Sequence, residues 1–266
     1  MTRKVLLTGA SGRIGTMFRG AVAGQYDLVL VDKNGGKKNE PDGAPVIETD
    51  LADLAVCQHL CAGVDTVVHL AADPSPAADF YGSLLDNNIK AVYNIFCAAK
   101  DQGCRRVVYA SSVQVIEGYP LDVQAKVDAP IKPMNMYAVC KAFGEATAHY
   151  FAYAEGLSSI AVRIAAYEGN RPPDQWITDG RTLSAFVSKR DLAHLLVRCI
   201  EVEDVQFGIV HAVSDNRFKR MDITETRALV GYEPQDDAFE LFKIGIENGP
   251  RWDEEYGRGA RRAVTA

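Results

Sequence analysis

The chain has no apolar run long enough to cross a bilayer, no block of like charge, and no cysteine pair at redox or metal-ligand spacing. The first absence excludes a helical membrane anchor, which needs about 20 consecutive apolar residues. With 29 basic against 35 acidic residues and a formal net charge of −6, the chain lacks the electropositive footprint of a nucleic-acid binder. No basic stretch interleaved with aromatics offsets that balance. The six cysteines, Cys57, Cys61, Cys97, Cys104, Cys140 and Cys199, contain no C-x-x-C pair. Cys57 and Cys61 stand four apart without a matching His or Cys pair elsewhere, so no zinc site is expected and the thiols read as reduced core residues. The five histidines show no ligand spacing and no Gly-x-Ser-x-Gly elbow accompanies them. The N-terminus runs directly into a strand without a signal peptide, which predicts a cytoplasmic protein. What is present, 47% hydrophobic residues in a chain of 266, suffices for one large α/β domain with a substantial core.

The most informative stretch is Arg3 to Asp32, RKVLLTGASGRIGTMFRGAVAGQYDLVLVD. Lys4 to Thr8 is a β-branched and leucine run suited to a buried parallel strand, and it breaks at Gly9, Gly12 and Gly15. Gly9 serves the tight strand-to-helix turn, Gly12 admits a pyrophosphate close to the backbone, and Gly15 lets the helix press on the strand. The helix start, with Ser11, Arg13 and Ile14 around it, would direct its N–H groups at phosphates. The second strand, Asp27 to Val31, ends in Asp32, about 20 residues on, where a carboxylate can accept both adenosine ribose hydroxyls. The order of strand, glycine turn, helix, strand and acid predicts a mononucleotide-binding unit. Asp32 would repel a 2′-phosphate and so favours NAD, while Arg13 and Lys33 nearby keep NADP open.

Further along, strands are expected at Val46–Glu48, Asp65–Leu70, Arg105–Ala110, Ser159–Ile164 and Gly208–Val213. Helices are expected after Asp50, which reads as an N-cap, and at Phe80–Gln102, Asn135–Glu155, Lys189–Glu201 and Asp222–Leu229. This alternation predicts a doubly wound parallel sheet of Rossmann type, a single domain over 1–266, with ligands beyond the carboxyl ends of the strands. Function should therefore gather near Gly9, Asp32, Ala71 and Ser111. Segments 166–187 and 214–250 are expected to form a small substrate-covering lobe. Trp176 falls in its irregular loop, and the charged tail from Arg251 is expected to fray.

Tyr137 and Lys141 lie four apart near the start of the helix after strand five, so both project from one face toward the same cleft. A phenol is too weak an acid to serve as a base at neutral pH, and a neighbouring ammonium favours its phenolate. Ser111 and Ser112 end strand five and should put a hydroxyl beside that phenol. The pair alone proves nothing, because 11 tyrosines in this length give chance matches; its position at the strand ends carries the argument.

TGASGRIG at 8 to 15, Asp32, HLAA at 69 to 72, Asn88, YASS at 109 to 112 and YAVCK at 137 to 141 together resemble the extended short-chain dehydrogenase/reductases, the NAD-dependent epimerase/dehydratase family. The resemblance covers nearly the whole chain. It implies Ser112, Tyr137 and Lys141 as the catalytic trio. It further implies Asp50, Leu51, Leu70, Ala71, Ala72, Asn88 and Ile164 beside the NAD. Most nucleotide-sugar epimerases of the family run well past 300 residues, whereas this length, RTLSAFVSKRDL at 181 to 192 and GYEPQDDA at 231 to 238 are most similar to uronate dehydrogenases. That implies NAD-linked oxidation of a sugar or sugar acid at C1 to a lactone, with Pro74, Ser111, Val113, Gln114, Ala166 and Arg181 on the substrate side and Arg181 as a carboxylate clamp. An ordinary ion pair to a neighbour such as Asp179 is the competing reading of Arg181. Where those enzymes carry Asn-His after the serine, this chain has Val113 and Gln114, and it has Ala166 in place of a serine. A nucleotide-sugar epimerase or dehydratase holding NAD tightly, and a non-catalytic NAD-binding module, are the alternatives; the Tyr and Lys argue against the latter. A homo-oligomer is expected.

Overall fold

The computed structural model describes residues 2–35, 44–169, 171 and 179–242. Seven strands form one parallel sheet in the order β3-β2-β1-β4-β5-β6-β7. They are β1 (Lys4–Thr8), β2 (Asp27–Asp32), β3 (Ile47–Glu48), β4 (Thr66–His69), β5 (Arg106–Ser112), β6 (Ser158–Ile164) and β7 (Phe207–Ala212). The order reverses between β1 and β4, and the crevice of a doubly wound sheet opens at that point. Successive strand residues point to opposite faces, so Val5, Leu7, Val68, Val108, Ile160 and Val162 enter one core, and Leu6, Val67, Val107 and Ala161 the other. Neither face is solvated, which explains why the strands read as continuous apolar runs.

The helices are α1 (Arg13–Ala21), α2 (Leu54–Cys61), α3 (Ala91–Asp101), α4 (Met136–Tyr153), α5 (Gly180–Ser184), α6 (Lys189–Glu201), α7 (Thr224–Val230) and α8 (Ala238–Leu241). α2, α3 and α4 supply Leu60, Phe96 and Phe151 to one core; α1 and α6 supply Phe18 and Leu196 to the other. The short α5 and α8 give no periodic signal in sequence, yet Leu183, Phe186 and Ala238 bury together and join segment 166–187 to the chain after 214. Trp176 and the tail from Arg251 lie outside the described residues.

Two local expectations change. Asp53, not Asp50, caps α2, accepting the amides of Ala55 at 2.8 Å and Val56 at 3.4 Å, while Asp50 closes a preceding turn by accepting Ala52 N at 2.9 Å. Two aspartates three apart offer the same capping signal, and the turn between them decides which one the helix uses. The long helix expected over Phe80–Gln102 is divided: Phe80–Lys90 is π-helical and only Ala91–Asp101 is α. Side chains compete for the backbone in the widened part, with Asn87 Nδ2 donating to Ser83 O at 3.0 Å.

Candidate active site

A cleft of about 930 Å³ runs along the carboxyl ends of the strands. At its first end the backbone turns at Gly9 with φ of +69°, and a Cβ there would lie 2.8 Å from Ala71 N. Only glycine combines that conformation with that approach of β1 to the chain leaving β4. Gly15 is equally confined, since a Cβ would stand 2.2 Å from Gly9 O. α1 begins beyond Gly12 with no side-chain cap, leaving its first amides to an anionic group at the mouth. Ser11 and Ile14 line the same wall. Asp32 at the end of β2 accepts Ser11 N at 3.0 Å on one carboxylate oxygen and Asn34 N at 3.1 Å on the other, keeping lone pairs for a diol. Lys33 bridges Asp50 at 2.9 Å and Asn87 at 3.3 Å, and this bond holds the Asp50 carboxyl below its ordinary range. Leu51 continues the wall, anchored through its carbonyl by Asn94 Nδ2 at 3.0 Å.

Leu70, Ala71, Ala72 and Pro74 form the floor leaving β4, and Ile164 and Ala166 the wall leaving β6. Asn88 is buried and does not line the cleft. It accepts Asp73 N at 2.8 Å and donates to Asp73 O at 3.0 Å, latching the β4 loop in both directions. The neighbouring Asn87 lines the cleft instead, a consequence of the widened helix that sequence periodicity could not show.

Beyond β5, Tyr137 and Lys141 project from α4, whose start is capped by Asn135 accepting Ala138 N at 2.8 Å. Gln114, expected at the substrate, has its Oε1 accepting from that same Asn135 at 3.0 Å, so it braces the helix start as it lines the cleft with Val113. Ser112 lines the cleft beside the Tyr137 phenol, and its own Oγ accepts Gln114 N at 3.2 Å. Ser111 lines the cleft with them, and its hydroxyl donates to Glu145 Oε1 at 2.6 Å, part of a buried pair. Burial pushes the Tyr137 phenol above its ordinary value, with Asp73 adding to the rise and Ser112 and Arg13 opposing it. The phenol is therefore harder to ionise in the free protein than the Tyr and Lys spacing suggests. Burial also pulls the Lys141 ammonium down to about 8; its Nζ donates to Ala110 O at 2.7 Å and lies 5.2 Å from the Tyr109 ring centre.

Arg181, from α5, pairs with Glu117 and not Asp179, which is the α5 cap. Arg13 pairs with Glu168. Asp73, Glu117 and Glu168 all line the cleft without having been picked out from sequence, because each faces it from a loop that carries no pattern.

A Rossmann sheet with an uncapped glycine turn, an acid at the end of β2 and a Ser, Tyr and Lys cluster at the end of β5 defines a dinucleotide-dependent enzyme of the short-chain dehydrogenase/reductase type. Residues 5–205 match the NAD dependent epimerase/dehydratase family, and the chain belongs to that family. It is 33% identical over 258 residues to an NAD-dependent glucose-6-phosphate dehydrogenase of Haloferax volcanii, covering 91% of this chain and 96% of the relative. With a uronate dehydrogenase of Pseudomonas putida it shares 30% over 250 residues, 93% of this chain and 89% of the relative. A uronate dehydrogenase variant from Agrobacterium tumefaciens, solved in complex with NAD, superposes with a TM-score of 0.82 at 27% identity, over 96% of this chain and 93% of the other.

Proposed function

We propose that the protein is an NAD-dependent dehydrogenase that oxidises a hydroxyl of a sugar or sugar acid, at C1 to the lactone. The observation that carries this is Ser112 and Tyr137 brought together beside buried Lys141, whose Nζ lies 5.6 Å from the Tyr137 ring centre, at the far end of a cleft whose near end suits an adenosine diphosphate. The glycine turn, the uncapped α1 and Asp32 fit the pyrophosphate and adenosine ribose, and the repulsion of a 2′-phosphate by Asp32 supports NAD over NADP. Bound NAD supplies the hydride acceptor and a positive charge near the phenol. Tyr137, once ionised, accepts the proton of the substrate hydroxyl, and Ser112 donates to the same oxygen. Lys141 keeps N–H donors beyond the one spent on Ala110 and holds the nicotinamide ribose while favouring the phenolate. The described part of segment 166–187 covers the substrate, with Ala166, Arg181 and Ala185 lining the cleft and Ala238 of the segment after 214 packed behind it on Leu183 and Phe186; 172–178 and 243–250 lie outside the described residues. Half-exposed Tyr93, Val139, Tyr150 and Tyr153 on α3 and α4 support a homo-oligomer, and the free thiols of the described residues suit a cytoplasmic location. Among the described residues no helix is long and apolar enough to cross a membrane.

The test is NADH formation with wild type and Tyr137→Phe across uronates, aldoses and secondary alcohols. The variant should lose about 10²–10⁴-fold in kcat with NAD affinity within a few fold. Retention of more than about a tenth of the rate would overturn the role of Tyr137.

A further inference from the structure

Resting on the dehydrogenase reading, we propose that the substrate end of the cleft is built for an uncharged aldose, with Glu117 as the residue that selects it. Two arginines line the cleft, and each already has a carboxylate partner: Arg13 with Glu168, Arg181 with Glu117. Asp73, also lining it, makes hydrogen bonds to Ser75 N at 2.9 Å and Ser83 Oγ at 2.5 Å and no ion pair among the described residues. Both guanidiniums lining the cleft are thus already matched by carboxylates, and Asp73 faces the same space as a further negative charge, so a uronate or sugar phosphate finds each of these arginines engaged.

The Glu117 pair has a particular form. Arg181 spends Nε at 2.7 Å and Nη2 at 2.6 Å on the same oxygen, Glu117 Oε1. Buried Arg220 reaches that oxygen at 3.4 Å and is held from behind by Tyr119 O at 2.9 Å. Glu117 is therefore fixed by two cations on one atom, while its Oε2 takes no partner among the described residues. Arg181 keeps Nη1. The pair offers one acceptor and one donor group side by side, which matches neighbouring sugar hydroxyls, since a hydroxyl can both give and take a hydrogen bond. A substrate carboxylate could take the Nε and Nη2 edge of Arg181 only by displacing Glu117, and one reaching Nη1 alone would lie beside Glu117 as a like charge.

Glu117→Gln keeps the shape, removes the charge and frees Arg181. Steady-state NADH formation would be compared for a neutral hexose and pentose, the corresponding uronate and the hexose 6-phosphate. Wild type should prefer the neutral sugar over the uronate and the phosphate by about tenfold or more in kcat/KM. Glu117→Gln should shift the uronate-to-aldose ratio toward the uronate by about tenfold or more, chiefly through KM, and Glu117→Gln with Arg181→Gln should remove that gain. NADH binding, followed by fluorescence, should stay within about twofold in each, which separates a specificity change from misfolding. Equal or better turnover of uronate or sugar phosphate by wild type, or an unchanged ratio in Glu117→Gln, would overturn the assignment of Glu117 while leaving the dehydrogenase reading intact. No NAD reduction with any sugar would overturn the dehydrogenase reading itself and this inference with it.

Discussion

Replacing Glu145 by Gln should weaken the whole fold and disarm the site together. Glu145 lies four residues after Lys141 on α4 and accepts three bonds: Ser111 Oγ at 2.6 Å, Arg163 Nε at 2.8 Å and Arg163 Nη2 at 2.9 Å. Its side chain and that of Arg163 are 6% and 2% exposed, so solvent does not screen the pair. The three partners sit on α4, β5 and β6, and the pair therefore fixes the helix carrying Tyr137 and Lys141 to the strand carrying Ser112. A glutamine offers one oxygen and turns an N–H group against Arg163, whose guanidinium has one other bond among the described residues, to Val127 O at 3.2 Å. Breaking a buried pair from one side costs about 3–5 kcal/mol, a large part of the 5–15 kcal/mol typical of a domain. Replacing both residues with leucine should cost much less, because no uncompensated charge stays behind. Urea unfolding of wild type, Glu145→Gln and the double leucine variant gives these differences directly. NADH formation by Glu145→Gln should fall further than its unfolded fraction accounts for. A single-variant cost below about 1 kcal/mol, or a double variant as damaged as the single, would refute the reasoning.

Gly144→Ala should lower kcat more than it raises the KM for NAD, because its Cβ would lie 2.2 Å from Tyr109 Cζ and the buried ring under Lys141 has no room to retreat; overpacking of this kind costs about 1–3 kcal/mol, and wild-type kinetics with wild-type Tm would contradict it. Buried His69 and His211 are held down to about 3 and about 4, chiefly by burial, so both stay neutral in the folded protein while the unfolded chain protonates below about 6.5. The stability this gives is complete above pH 6.5 and is lost as pH falls toward 4 and then 3, by about 1.4 kcal/mol per pH unit for each histidine. A urea midpoint that does not move between pH 7 and pH 5 would argue against it. Asp32→Ala should raise the KM for NAD about tenfold or more and bring NAD and NADP closer in kcat/KM, and an unchanged coenzyme ratio would remove Asp32 from the ribose.

The parts of the site legible in the sequence are those whose signal is local. The run from Lys4 through Gly15 to Asp32 lies within one supersecondary unit, and Tyr137 and Lys141 share one helix face that follows directly on strand β5, so spacing and place in the strand-helix order together locate them. The strands were legible because burial on both faces leaves uninterrupted apolar runs at Val5–Leu7 and Val107–Val108. What sequence could not show depends on partners far along the chain. Glu117 and Arg181 are 64 residues apart, and nothing near either indicates the other. Glu145 reads as one more solvated helix acid until Arg163 arrives from β6, and the same pair takes the Ser111 hydroxyl. Asn88 was expected beside the NAD, whereas the structure buries it behind the cleft, and its part in latching Asp73 depends on the π-helical turn, which has no periodic signature of its own.

In the proposed reaction a C1 hydrogen leaves the sugar as hydride for NAD. An aldose deuterated at C1 and unlabelled NAD, incubated with the enzyme, should yield reduced coenzyme carrying one deuterium by mass spectrometry. Reduced coenzyme without deuterium would contradict oxidation at C1, and sugar conversion with no net reduction of NAD would mark an epimerase or dehydratase cycle in place of a dehydrogenase.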